Sequence, residues 1–238
     1  MFTVAEMLQP KNQNLRLTKY EYRLVFEKTG RARYISHLDM MRCLQRVFKR
    51  AGIPLWYTQG FNPHAYLMFP LALSLGTDSS VEVLDIALTE KYPFDVLRDR
   101  INTCMPEGLR IVSAAEPVMK HTEIAFAEYE VRFSVKGMSG EQLRDSFASF
   151  AAREKIEIEK RSKKRGINLV DIAPHINVLS LSSDGDFAAV GLRLPAGTEF
   201  NLNTNVVFEA FESCSGCRID MIYTKRTKIL TKSLENFI

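Results

Sequence analysis

The stretch Tyr34-Ile-Ser-His-Leu-Asp-Met-Met-Arg-Cys-Leu-Gln-Arg-Val-Phe-Lys-Arg50 reads as the start and body of a helix. Ser36 is placed to cap it, and Asp39, three residues on, can reach back to the Ser36 amide while complementing the positive helix end. Leu38, Met41, Leu44, Phe48 and Ala51 recur at three and four and define the expected buried face, and Gly52 with Pro54 supplies the stop. Arg42, Arg46 and Lys49 recur on the opposite face, with Arg50 beside them and Lys28, Arg31 and Arg33 leading in. Lys28 to Arg50 carries seven basic residues and one acid, a local charge of +6, whereas the whole chain carries +4. Charge concentrated in this way suits a polyanion, although a helix face solvated by Arg and Lys is the plainer reading.

Aromatic residues follow at once. Trp56, Tyr57, Phe61, His64 and Tyr66 surround the turn Gly60-Phe-Asn62-Pro-His64, where Pro63 holds Asn62 extended. Rings beside cations suit bases stacked above phosphates, so these residues are candidates for RNA contact together with Arg31, Arg33, Arg42, Arg46 and Lys49. The plainer reading is a turn in which Phe61 staples the loop to the core.

Outward from this region the order of elements repeats. Tyr22, Leu24 and Phe26 alternate as a strand ahead of the helix. A short strand is expected around Pro54 to Thr58, then an apolar run from Leu67 to Leu75 broken by Pro70, then a strand from Val81 to Leu88. A helix with Phe94, Leu97 and Ile101 inward and a strand from Leu109 to Ala114 complete βαββαβ. A second series runs from Glu128 to Tyr223, with a capping box at Ser139 and Gln142, an Asp184-Gly185 hairpin and a helix capped by Asn203. The expected fold is α+β, two tandem ferredoxin-like domains at 20–117 and 126–230 after a flexible leader at 1–19. Lys160 to Arg165, including Lys163, Lys164 and Arg165, forms a basic hairpin in the second unit, and Lys225, Arg226, Lys228 and Lys232 form another basic cluster. Both could extend a polyanion surface.

With 238 residues, 46% hydrophobic and 25% charged, the chain can build two cores. It has no apolar run long enough to span a bilayer and no signal peptide, so a cytoplasmic protein is expected. Cys214-Ser-Gly-Cys217 stands without a second pair at metal-ligand spacing, and Cys43 and Cys104 read as free thiols. No metal and no cofactor are expected.

Several motifs together resemble a known family. Ser36-His-Leu-Asp39, Arg50-Ala-Gly-Ile-Pro54, Gly60-Phe-Asn-Pro-His64, Pro70-Leu-Ala-Leu-Ser-Leu-Gly76 and the acidic pair Glu82 and Asp85 are similar to the bacterial radical SAM-linked proteins. The resemblance implies a domain found alone or at the C-terminus of a cobalamin-binding radical SAM protein. Ala65-Tyr66 departs from the proline and basic residue usual there. The chain lacks the three closely spaced cysteines of a radical SAM cluster, so any such chemistry belongs to a partner.

The expectation is an RNA-binding accessory protein acting with a radical SAM enzyme on tRNA or ribosomal RNA. Two alternatives follow from the same residues. Tandem ferredoxin-like domains resemble CRISPR RNA-processing proteins, and a metal-independent endoribonuclease could use His37 or His64 with Tyr57 or Lys49 as acid and base. A protein-docking module could use Phe61, Tyr66 and the run from Leu67 to Leu75.

Overall fold

Helix α1 (His37–Arg50) begins where its capping residues dictate. The Ser36 hydroxyl accepts the Asp39 amide at 3.2 Å and donates to the Asp39 carboxylate at 2.7 Å. Its buried face is Met40, Leu44, Val47, Phe48 and Ala51. This corrects the expected stripe, since Leu38 is 66% exposed and Met41 only half-buried. At about 100° per residue, Leu38 lies roughly 140° around the helix from the centre of the true stripe. Ser36→Ala should cost about 1 kcal/mol of unfolding free energy, read by urea denaturation; an unchanged midpoint would show that the cap contributes nothing.

The computed structural model describes residues 18–59, 61–162, 166–198 and 200–238, with the side chains of 160–167 left aside. Of the expected leader, only residues 18 and 19 fall within this set. The first half comprises β1 (Tyr20–Lys28), α1, β2 (Leu67–Met68), β3 (Thr77–Leu88), α2 (Phe94–Asn102) and β4 (Leu109–Ala115). The expected strand at Pro54 to Thr58 is instead two isolated bridges, Leu55 with Leu88 and Tyr57 with Ala65. Pro54 offers no amide, and Pro70 stops the apolar run, so β2 is two residues long. In α2, Leu97 and Ile101 are buried as expected, while Phe94 is 41% exposed and meets Tyr22 edge-on at the first turn.

The second half comprises β5 (Ile124–Ser134), α3 (Gly140–Ala151), the separate hairpin β6 (Glu157–Ser162) and β7 (Gly166–Asp171), β8 (Asn177–Asp184), β9 (Phe187–Pro195), α4 (Thr204–Ser215) and β10 (Met221–Thr231). The Ser139 and Gln142 capping box and the Asn203 cap both form. One mixed sheet runs β4-β1-β3-β10-β5-β9-β8, with β2 against the far end of β3. β2 pairs only with Ile86 and Asp85, which leaves the start of β3 open. β10 takes that place, parallel to β3, through Thr224 with Thr77, Lys225 with Asp78 and Arg226 with Ser79. An unpaired stretch of strand is thereby closed by the other half of the chain.

Two cores result. α1 and α2 pack on Leu24, Phe26, Leu84 and Ile86, and α3 and α4 pack on Tyr129, Val131, Phe133, Val190 and Leu192. Register partners share a sheet face, so the pair Phe26 with Glu82, the Arg226 side chain bonded to Glu82 and the pair Arg226 with Tyr129 place all four helices on one side. The alternate residues, among them Arg23, Asp78, Asp85, Glu128, Glu130, Arg132 and Tyr223, turn to the face without helices. Leu71 and Val83 of the first half belong to the second core.

Candidate nucleic-acid interface

Because Leu44, Val47 and Ala51 face the sheet, Arg42, Arg46, Lys49 and Arg50 must face away from it, and all four are exposed. Arg42 lies 3.3 Å from Asp39, an exposed pair worth a few tenths of a kcal/mol at most. Among the described residues Arg31, Arg46, Lys49 and Arg50 have no ion pair. A row of unneutralised cations is thus held on a rigid helix.

Lys28 leaves this patch. It is buried, and its ammonium donates to the Ile35 carbonyl at 2.9 Å. Burial pushes its pKa down, against the opposing pull of Glu82 and Asp78. Arg33 is half-buried and also turned elsewhere: its Nε donates to the Gly30 carbonyl at 2.9 Å and lies 3.2 Å from Asp78, while its guanidinium sits 4.7 Å from the Tyr223 ring centre and 5.8 Å from that of Tyr34.

Residues 56–59 leave the edge of β3 and residues 61–66 return to it. The Trp56 amide donates to the Ala87 carbonyl at 2.8 Å, the Tyr66 amide to the Trp56 carbonyl at 3.0 Å and the Thr58 amide to the His64 carbonyl at 2.9 Å. The Thr58 hydroxyl accepts the His64 amide at 3.1 Å, and His64 Nδ1 lies 3.0 Å from that hydroxyl and 3.2 Å from the Asn62 carbonyl. Phe61 is completely exposed, so it does not staple the loop, and Tyr57, Asn62 and His64 are exposed beside it. Trp56 and Tyr66 meet edge-on, with the Lys19 ammonium 4.0 Å from the Tyr66 ring centre.

The structure separates Trp56 and Tyr66 from the basic helix. Leu67 points into the α1 core, so Tyr66 and Met68 point to the opposite face, where they border Arg23 and Asp85. Tyr66 and its partner Trp56 therefore lie across the sheet from Arg42, Arg46 and Lys49. His37, exposed at the start of α1, stands edge-on to Phe69 at 5.0 Å. Neither His37 nor His64 is hydrogen-bonded to Tyr57 or Lys49 among the described residues. Lys163, Lys164 and Arg165 lie outside the described residues.

The seam between β3 and β10 holds a cluster that the sequence reading missed. Arg226, expected in a surface cluster, is 2% exposed; it donates to Glu82 at 3.0 Å, to the Ala72 carbonyl at 2.8 Å and to the Tyr129 hydroxyl at 3.3 Å. On the other face the Tyr223 hydroxyl donates to Asp78 at 2.5 Å. Arg33 Nε is off line for a hydrogen bond to Asp78 Oδ1, which is buried without a donor.

Lys228, another of the expected surface cations, lies 2.9 Å from Glu128, which also accepts from Arg193 at 2.7 Å. Burial alone would raise the Glu128 pKa; the donors Lys228 and Arg193 outweigh it and hold the carboxyl below its usual value. The stability this gives is present above the unfolded carboxylate's pKa of about 4.3 and is lost as pH falls through the lower folded value. Glu128→Gln should therefore weaken the fold near pH 7 and flatten the loss of stability below about pH 4, measured by urea melts across that range. An unchanged acid limb would contradict the pairing.

The chain belongs to the family described as an uncharacterized protein conserved in bacteria (DUF2344), whose model matches residues 21–205. No curated protein matches the chain. Among solved structures it is similar to a chain of a Cbf5-Nop10-Gar1 complex, at 13% identity and a TM-score of 0.46, over 87% of this chain and 48% of that one. It is also similar to an unknown protein from Galdieria sulphuraria, at 12% identity and a TM-score of 0.25, over 88% of this chain and 99% of that one. The chain thus spans about half the length of the first of these. Among the described residues no helix is long and apolar enough to cross a membrane.

Proposed function

We propose that this protein is an RNA-binding accessory factor that grips phosphates with the outward face of α1. The observation that carries this reading is the row Arg42, Arg46, Lys49 and Arg50, exposed on one rigid helix and, apart from the weak Arg42 pair, free of ion partners among the described residues. Arg31 extends it at the turn before the helix. The strand order of each half, fourth-first-third with the second outermost, supports reading the fold as two ferredoxin-like units sharing a sheet, an architecture whose sheets commonly carry RNA. The motif resemblance to radical SAM-linked proteins supplies the rest of the proposal: a cytoplasmic radical SAM enzyme acts on the RNA, tRNA or ribosomal RNA, that this chain holds.

The test is binding of a labelled tRNA at several salt concentrations, with the RNA checked for cleavage afterwards. Affinity that falls steeply with salt, with the RNA intact, is the expected result. No affinity at low salt would overturn the proposal, and cut RNA would make the protein a nuclease instead.

A further inference from the structure

We propose that the face of the sheet without helices holds a second site, in which an unpaired nucleobase stacks on Tyr223. The inference rests on the reading of the protein as an RNA binder and adds a site on the side opposite the basic helix.

Tyr223 is 39% exposed, yet its ring is fixed from two directions. Its hydroxyl donates to the buried Asp78 carboxylate at 2.5 Å, and the Arg33 guanidinium lies 4.7 Å from its ring centre. Arg33 is itself set by the Gly30 carbonyl and Asp78, so ring and cation form one rigid unit joining the first half of the chain to the second. Burial and the bond to Asp78 push the phenol pKa up, which keeps the ring neutral and its hydroxyl a donor. A ring already ordered in this way loses little further freedom when a ligand stacks on it, and a cation already on the ring strengthens such a stack.

Tyr223 also lines a groove of about 370 Å³, walled further by Glu130 and Arg132. Its floor is made of small residues on the same face, Ala189, Gly191, Ser180 and Ser182. A Cβ at Gly191 would stand 2.4 Å from the Ser180 hydroxyl, so the glycine keeps that floor low. The volume lies within the range of small-ligand sites. The chemistry around it is mixed: two serine hydroxyls and a carboxylate can meet the edge of a base, while Arg132, paired with Asp184 at 3.1 Å and 4.3 Å from the Phe187 ring centre, walls the rim with its remaining N–H donors. A flat apolar face ringed by hydrogen-bonding groups of both kinds fits a heterocyclic base better than a phosphate or an aliphatic side chain. Only an unpaired base can present its face to Tyr223, because duplex RNA keeps its bases stacked.

The test uses fluorescence anisotropy with a labelled 12-nucleotide RNA of mixed sequence, alone and annealed to its complement. Tyr223→Ala should weaken single-strand binding about tenfold, the order expected for one stacked base, with duplex binding changed less than about twofold. Because that change also strips Asp78 of its donor, Ser182→Trp is the second variant. Ser182 is exposed on the edge strand, and a ring there fills the groove while leaving Tyr223 and both cores intact. It should give a similar single-strand loss. Full single-strand affinity in Ser182→Trp, or equal losses on both RNAs, would overturn this site and leave the basic helix standing. Wild-type protein that binds neither RNA would overturn the RNA-binding reading on which the site depends.

Discussion

Arg226→Ala is expected to lower the unfolding free energy by about 3–5 kcal/mol, because it leaves the Glu82 carboxylate buried without its partner. Arg226 sits between the two cores, so its loss removes a bond from Glu82, the Ala72 carbonyl and the Tyr129 hydroxyl at once. Replacing both charges, with Glu82→Leu and Arg226→Met, should recover most of the loss, since a buried pair exchanged for apolar side chains of similar volume is often neutral or better. Urea denaturation at neutral pH compares the two. A double variant as unstable as Arg226→Ala would mean that the seam depends on the hydrogen bonds to Ala72 and Tyr129, and the uncompensated charge would no longer explain the loss.

The second large effect concerns binding. If Arg42, Arg46 and Lys49 each neutralise one phosphate of single-stranded RNA, together they contribute about −2 to the slope of log affinity against log salt. Changing all three to alanine should flatten the slope by that amount and cost about tenfold or more in affinity at low salt. The three side chains point away from the core, so the melting temperature should hardly move. A triple variant that is folded and keeps the wild-type slope would remove α1 from the interface.

α1 was legible from its ends. Ser36, Asp39 and Gly52 carry local signals whose geometry does not depend on the rest of the chain, and the row Arg42, Arg46, Lys49 was correctly read as the solvent face. Which apolar stripe is buried was harder, because Leu38 and Met40 both continue a spacing of three and four toward Leu44. The packing of the sheet decides between them. The fixing of His64 in its turn also followed from local chemistry, whereas the exposure of Phe61 did not, because a ring at such a tip can equally be presented or tucked onto the core.

The seam could not be read in this way. Lys225, Arg226 and Lys228 look like a solvated strand end, and only a partner 144 residues away, Glu82, makes it possible to bury the middle one. Arg33 and Tyr223 meet across a similar gap. No local pattern records that meeting, because it depends on β2 being too short to cover β3 and on β10 arriving in its stead. The proposed base-stacking site shares this origin, which is why Tyr223 and Asp78 were absent from the candidates while Arg33 was among them.

The place of β10 in the sheet has a consequence for how the chain is made. β3 ends at Leu88 and β10 begins at Met221, so a ribosome adds about 130 residues between them, on the order of 10 to 30 seconds of synthesis. Throughout that interval the start of β3 lacks its neighbour, and β5, once formed, lacks β10 on one side. Arg226 has not yet been added, so through that interval Glu82 lacks its hydrogen-bonded ion-pair partner. The nascent first half is therefore a sheet with an open, partly charged edge, a state in which a chaperone or the wrong strand can pair before the right one is translated.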